Sequence, residues 1–190
     1  MLISGPDDNL ARILNSLLSR ESDSFDEFLF AVAWARKRGV EAILPGLTAF
    51  EGATRGIVGL NYRRTSYEAL RILFDHLDDL FVYYKHPFQI FHPKLYAFIH
   101  ESEGKVSKLV GIVGSSNLTF GGLSTNFELS TLHEYEPDSA SALEQIEKTL
   151  SYFENLVSSE FAHRVHDVHF IDNMLKNSYI MTEQALNASA

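Results

Sequence analysis

Residues 91–98 read FHPKLYAF, an apolar run interrupted by a histidine and a lysine two positions apart. In a strand, alternation sends His92, Lys94, Tyr96 and Phe98 to one face and Phe91, Pro93, Leu95 and Ala97 to the other. A strand that only fills a core has no use for an imidazole beside an ammonium. A site that grips a phosphate does.

Working outward, a second polar cluster follows an apolar strand. Residues 113–129, VGSSNLTFGGLSTNFEL, end that strand in Gly114-Ser115-Ser116-Asn117. Glycine lets the chain turn tightly there, and strand ends are where folds commonly present functional groups. Gly121-Gly122 breaks the chain again, and the next strand, predicted over 127–135, carries Glu128.

The rest of the chain supplies an alternating pattern. Residues 8–20 have helical apolar spacing through Leu10, Ile13, Leu14, Leu17 and Leu18. FLFAVAWA, 28–35, is a buried strand. Residues 37–50 predict a helix that ends near Pro45-Gly46. Strands are expected over 54–60, 80–84, 91–100 and 108–114. A helix is expected over 67–77, capped by Thr65 or Ser66 with Glu68 near the capping-box position. Another amphipathic helix spans 138–157, and the tail from 160 is helical with a frayed end. Strands alternating with helices predict an α/β domain: a central mixed β-sheet flanked by helices. The expected division is a domain over 1–160 and a C-terminal helical extension over 161–190, leading on to a recognition domain outside this sequence.

The 190 residues include no cysteine, which excludes disulfides and thiolate zinc sites and suits a reducing, cytoplasmic setting. No stretch reads as a signal peptide, and no apolar run approaches the ~18 residues of a membrane span. The net charge of −9 argues against a free-standing nucleic-acid binder. Residues 36–108, however, hold eleven basic against eight acidic side chains, so the segment with His92 and Lys94 is locally positive. After the strand at 54–60, Tyr62, Arg63 and Arg64 form a loop able to grip a phosphate backbone and stack on a base, or simply to be solvated. Tyr96 either lines the pocket or packs in the core. Arg36, Lys37 and Arg38 read as a solvated helix start. His163, His166 and His169 would lie along one side of a helix. Glu103-x-Lys105, a pair used in some metal-dependent nucleases, falls in a polar turn.

His92-x-Lys94, Gly114-Ser115-x-Asn117 and an acidic residue eleven beyond the asparagine, Glu128, together resemble the phospholipase D superfamily. The phrases HPKLY and GSSNLTFGG resemble its nuclease branch, and in particular the catalytic domain of metal-independent restriction-type endonucleases. The likeness spans residues 91–128. It departs from the fullest family motif at Ile99, where an aspartate is usual. The resemblance implies a phospholipase D-like domain with one HKD-type motif, acting as a metal-independent endonuclease without a cofactor. His92 would be the nucleophile, forming a phosphohistidine. Lys94, Asn117 and Ser115 would steady the phosphoryl oxygens, and Glu128 would orient the imidazole. Superfamily sites use two motifs, so the single copy implies a homodimer with the site on its two-fold axis. DNA is the expected partner, with RNA open, and a separate recognition domain or subunit is expected. Two alternatives use the same residues: a phospholipid phosphodiesterase or transferase, disfavoured by Ile99 and by the lack of a basic membrane-binding stretch, and a non-catalytic nucleic-acid-binding module.

Overall fold

The computed structural model describes residues 1–19 and 25–188. Residue 20, at the end of the first predicted helix, and residues 189–190, in the expected frayed tail, lie outside the described residues.

The elements in chain order are β1 (Leu2–Ser4), α1 (Leu10–Leu18), β2 (Glu27–Val32), α2 (Lys37–Ala49), β3 (Ala53–Gly59), α3 (Tyr67–His76), β4 (Asp79–Tyr83), β5 (Lys94–Ser102), β6 (Lys105–Gly114), β7 (Leu129–Tyr135), α4 (Ala140–Val157), β8 (Ala162–Arg164), α5 (Val168–Lys176) and α6 (Glu183–Ala188). The strands form one eight-stranded sheet in the order β1-β7-β6-β5-β2-β3-β4-β8. β2, β3 and β4 are parallel, joined by crossover helices, and the remaining pairings are antiparallel, so the sheet is mixed as predicted.

Alternation along β5 divides the core in two. Tyr96 and Phe98 join Phe28 and Phe30 of β2 beneath α1, α2, α3 and α5. Phe28 and Phe98 stack at 4.7 Å between ring centroids. Leu95, Ala97 and Ile99 turn to the opposite face, where α4 contributes the buried Ile146 and Phe153. Arg55 of β3 ties α4 down by bonding Glu154 at 2.7 Å and Glu27 at 3.3 Å, with its guanidinium over the Phe153 ring. Ile99 is therefore a core residue of the α4 layer, which explains why an aliphatic side chain is accommodated there.

Four expectations change. First, α2 continues through Pro45 to Ala49 instead of ending there. Proline removes one helical donor and crowds the preceding turn. Asn15 of α1 bridges the break: its Oδ1 accepts from Gly46 N at 2.7 Å while its Nδ2 donates to the Ala42 carbonyl at 2.7 Å. Second, the stretch from 160 is not helical throughout, since Ala162–Arg164 form a strand. β8 pairs with β4 at the sheet edge, and Ile171 and Met174 of α5 enter the core beside α3. Third, His163 lies in β8, packed 4.8 Å from Tyr84, whereas His169 lies in α5, so the three histidines do not share a helix. Fourth, Ser66, not Thr65, caps α3, accepting from Ala69 N at 3.2 Å. Glu68, expected to complete a capping box, instead accepts from Glu183 N at 2.9 Å.

Candidate active site

The expected residues converge at one end of the sheet, where β2 and β3 finish, β5 and β7 begin and β6 ends. Backbone bonds fix how these segments meet. Ala33 N donates to Pro93 O at 2.9 Å, Leu118 N to Trp34 O at 3.1 Å, and Arg36 N to Leu118 O at 2.9 Å. Gly39, in the first turn of α2, packs directly on the Leu118–Thr119 backbone, and a Cβ there would overlap it. Gly122 has the same role nearby, since its Cβ would fall 2.6 Å from Asn117 O.

His92 lies just outside regular strand structure. β5 begins at Lys94 because Pro93 has no N–H to give to a ladder between two neighbours. The pair is nevertheless close. Lys94 Nζ stands 2.6 Å from His92 Nδ1, 3.0 Å from Nε2 and 3.1 Å from the His92 carbonyl. Lys94 is 8% exposed while His92 is open to solvent. Partial burial lowers the His92 pKa below the usual imidazole value, and the Lys94 charge lowers it further. Burial also lowers the Lys94 pKa, opposed by the negative charge of Glu128. The imidazole is thereby biased to its neutral, nucleophilic form beside a cation.

Asn117 is 9% exposed, and its Oδ1 accepts from Trp34 N at 3.2 Å. That bond uses the acceptor end of the amide and leaves both Nδ2 donors unclaimed among the described residues. Ser115 is exposed and donates to Glu128, whose other oxygen accepts from Asn126 Nδ2 at 3.3 Å. Glu128 sits immediately ahead of β7 rather than inside it, and its bonds go to Ser115 and Asn126, not to His92. Within one chain its influence on the histidine passes through the field at Lys94.

Tyr96 takes the core alternative: it is 1% exposed, and its hydroxyl donates to Ser116 O at 3.1 Å beneath the site. Burial raises its pKa strongly, so it remains a neutral phenol and does not meet substrate. Tyr62, Arg63 and Arg64 are exposed on the rim. Tyr62 and Arg63 hold left-handed backbone, φ 61° and 55°, a conformation that costs side-chain-bearing residues about 1–3 kcal/mol. Asn61 anchors the turn by accepting from Phe91 N at 3.1 Å, next to His92.

Two neighbours escaped the sequence reading. Trp34 belongs by sequence to the buried strand, yet it is half-buried at the strand end, with its indole edge-on to His92 at 5.5 Å and 78°. Arg38 reads by sequence as solvated, yet its guanidinium lies 4.1 Å over the Phe120 ring beside the site. A tryptophan directly after a buried strand was the available signal. Arg36 differs from both: it is paired with Glu183 at 2.7 Å and serves to dock α6.

No protein-family model matches the sequence, and neither does any curated protein sequence. Solved structures do match in shape. A phospholipase D family member, Nuc from Salmonella typhimurium, superposes with a TM-score of 0.61 at 12% identity, over 88% of this chain and 97% of that one. NucT from Helicobacter pylori gives 0.54 at 17% identity, over 84% and 95%. Yeast tyrosyl-DNA phosphodiesterase gives 0.52 at 10% identity, over 94% of this chain and 40% of that one. With a mixed sheet that gathers His92, Lys94, Ser115, Asn117 and Glu128 at one end, the chain has the phospholipase D fold.

Proposed function

We propose that the protein is a phosphodiester hydrolase acting on DNA, with His92 as its nucleophile. The observation that carries this reading is the Lys94 ammonium 2.6 Å from a solvent-open imidazole held toward its neutral form. A ring nitrogen of His92 bonds to phosphorus as the P–O bond to the leaving strand breaks. An imidazolium protonates the departing oxygen. Water then displaces the histidine, giving its proton to the second imidazole and releasing the phosphate-ended product. Lys94 and the free Asn117 amide donate to the phosphoryl oxygens as charge builds.

The scheme needs two histidines and the motif supplies one. The second is His92 of the partner subunit, with the site on a two-fold axis. Val113, Phe127 and Leu129, large apolar side chains exposed around Ser115 and Glu128, support an interface at this rim. This dimer fits the catalytic part of a restriction-type endonuclease whose sequence reader is a separate domain or subunit. Among the described residues no helix is long and apolar enough to cross a membrane, and no observation favours a lipid substrate over DNA.

The test is plasmid cleavage in excess EDTA. Wild type should cut and His92→Ala should lose more than about a thousandfold in rate. Titrating wild type with His92→Ala protein should poison activity, because a mixed dimer holds one histidine per site. Chelator-sensitive cutting, or cutting by the mutant, would refute histidine catalysis. Full activity in a strictly monomeric protein would refute the shared site.

A further inference from the structure

The groove beside the catalytic pair continues well past it. Trp34, Tyr62, Arg64, Ile90 and His92 line one open cavity. A second cavity, bounded by Arg38, Thr119 and Phe120, shares Trp34 and Arg64 with the first. The two therefore form one path from the imidazole, along the indole, to a pair of guanidiniums.

Several features make this path a built surface. The Trp34 backbone is bonded on both sides, by Asn117 Oδ1 and by Leu118 N, which fixes the point from which the indole projects. Its Nε1 edge is buried, with no hydrogen-bond partner among the described residues. Arg38 is seated on Phe120, and neither Arg38 nor Arg64 has a carboxylate partner among the described residues. Arg36 in the same wall is already neutralised by Glu183, so the uncompensated charge is confined to the other two. Tyr62, 66% exposed, stands opposite on its left-handed turn.

Resting on the phosphodiesterase reading, we infer that this groove holds the nucleotide adjacent to the scissile bond as an unpaired strand, so that duplex DNA is cut where its strands are locally separated. Its base lies against Trp34 and its phosphate lies between Arg64 and Arg38. A duplex keeps its base faces stacked and offers none to an indole, whereas an unpaired strand offers one per nucleotide.

Trp34 is the only tryptophan in the sequence, so its fluorescence reports this groove alone. The measurement is a titration of the His92→Ala protein, which binds without turnover, with an eight-nucleotide oligothymidylate and with an abasic chain of equal length. Oligothymidylate should quench the indole, and the abasic chain should bind about five- to a hundredfold more weakly without quenching. Arg38→Ala and Arg64→Ala should each weaken binding and lower the log–log salt slope by about 0.7, while Arg38→Lys should keep the slope. Absence of quenching, an unchanged affinity in Arg38→Ala, or equal binding of the duplex would overturn the inference. Hydrolysis of bis(4-nitrophenyl) phosphate by wild type separates the two claims. That small diester needs His92 and Lys94 but not the groove. If it is cleaved while oligothymidylate fails to quench, only the groove assignment falls. If quenching occurs without histidine-dependent cleavage, only the hydrolase reading falls.

Discussion

The two ends of the central sheet use polar side chains in opposite ways. At the end away from the site, Asp78 and Asp26 are taken up by nearby groups. Asp78 Oδ2 accepts from Thr54 N at 2.8 Å and from Thr54 Oγ1 at 2.9 Å, and Asp26 Oδ2 accepts from Glu101 N at 2.6 Å. The β5–β6 connection there is a tight turn at Glu103 and Gly104, both with positive φ, which fits a type I′ hairpin and makes Glu103 a turn residue. At the other end, Asn117 keeps two unclaimed donors and Lys94 faces an imidazole instead of a carboxylate. Unfilled hydrogen-bonding capacity close to solvent costs stability and is retained where a ligand fills it. Equal strand geometry thus yields a structural end and an end that carries the candidate site.

The comparison can be broken by mutation. The largest effect after loss of His92 belongs to Asn117→Ala, which should reduce kcat about a hundred- to a thousandfold if the amide donates to the phosphoryl oxygens. Its cost in folding should stay near 1–3 kcal/mol, from the Trp34 N–H left unpaired. Steady-state kinetics beside thermal denaturation reads both. Asp78→Ala should show the reverse: a similar stability loss with kcat unchanged. A large kinetic defect in Asp78→Ala would erase the distinction between the ends. Gly39→Ala should destabilise by about 1–3 kcal/mol through overpacking against the Leu118 backbone, with a raised KM as the loop carrying Asn117 is displaced.

A smaller effect concerns protons. His92 should titrate below the ordinary imidazole value, observable by NMR. A depressed pKa means that the unfolded chain binds the proton more readily. Stability should therefore fall as pH drops through the ordinary imidazole range, and the loss should end below the folded pKa. Lys94→Met removes the repelling charge, so the His92 pKa should move upward, though burial keeps it below the ordinary value. A downward move would show that Lys94 does not repel the proton. The smallest effect is that of Ser66→Ala, about 1 kcal/mol for the lost α3 cap.

The sheet was legible because its central strands are apolar runs with clear alternation, and the His92–Lys94 pair was legible from the same period. β8 was not, because Ala162-His163-Arg164 has no apolar pattern and its place depends on pairing with β4. The catalytic candidates could be read because they lie within thirty-seven residues of one another and carry a motif. Of the groove, Tyr62 and Arg64 could be read as well, but Trp34 and Arg38 could not. Trp34 meets Asn117 across 83 positions, a juxtaposition that only the order of β2, β5 and β6 creates. The helical reading of 37–50 failed in its end near Pro45-Gly46, where local rules are overruled by a side chain from another helix.

That side chain couples two helices. The first turn of α2 carries Arg38 to the site. The turn after Ala42 is completed by Asn15, which stands on α1. The latter half of α2 is therefore stabilised by the docked α1, and α1 and α2 should appear as one cooperative unit in hydrogen exchange. Replacing Asn15 with leucine, which fills similar volume without the two bonds, should uncouple them. The amides from Gly46 to Ala49 would then exchange early while the turn that bears Arg38 stays protected.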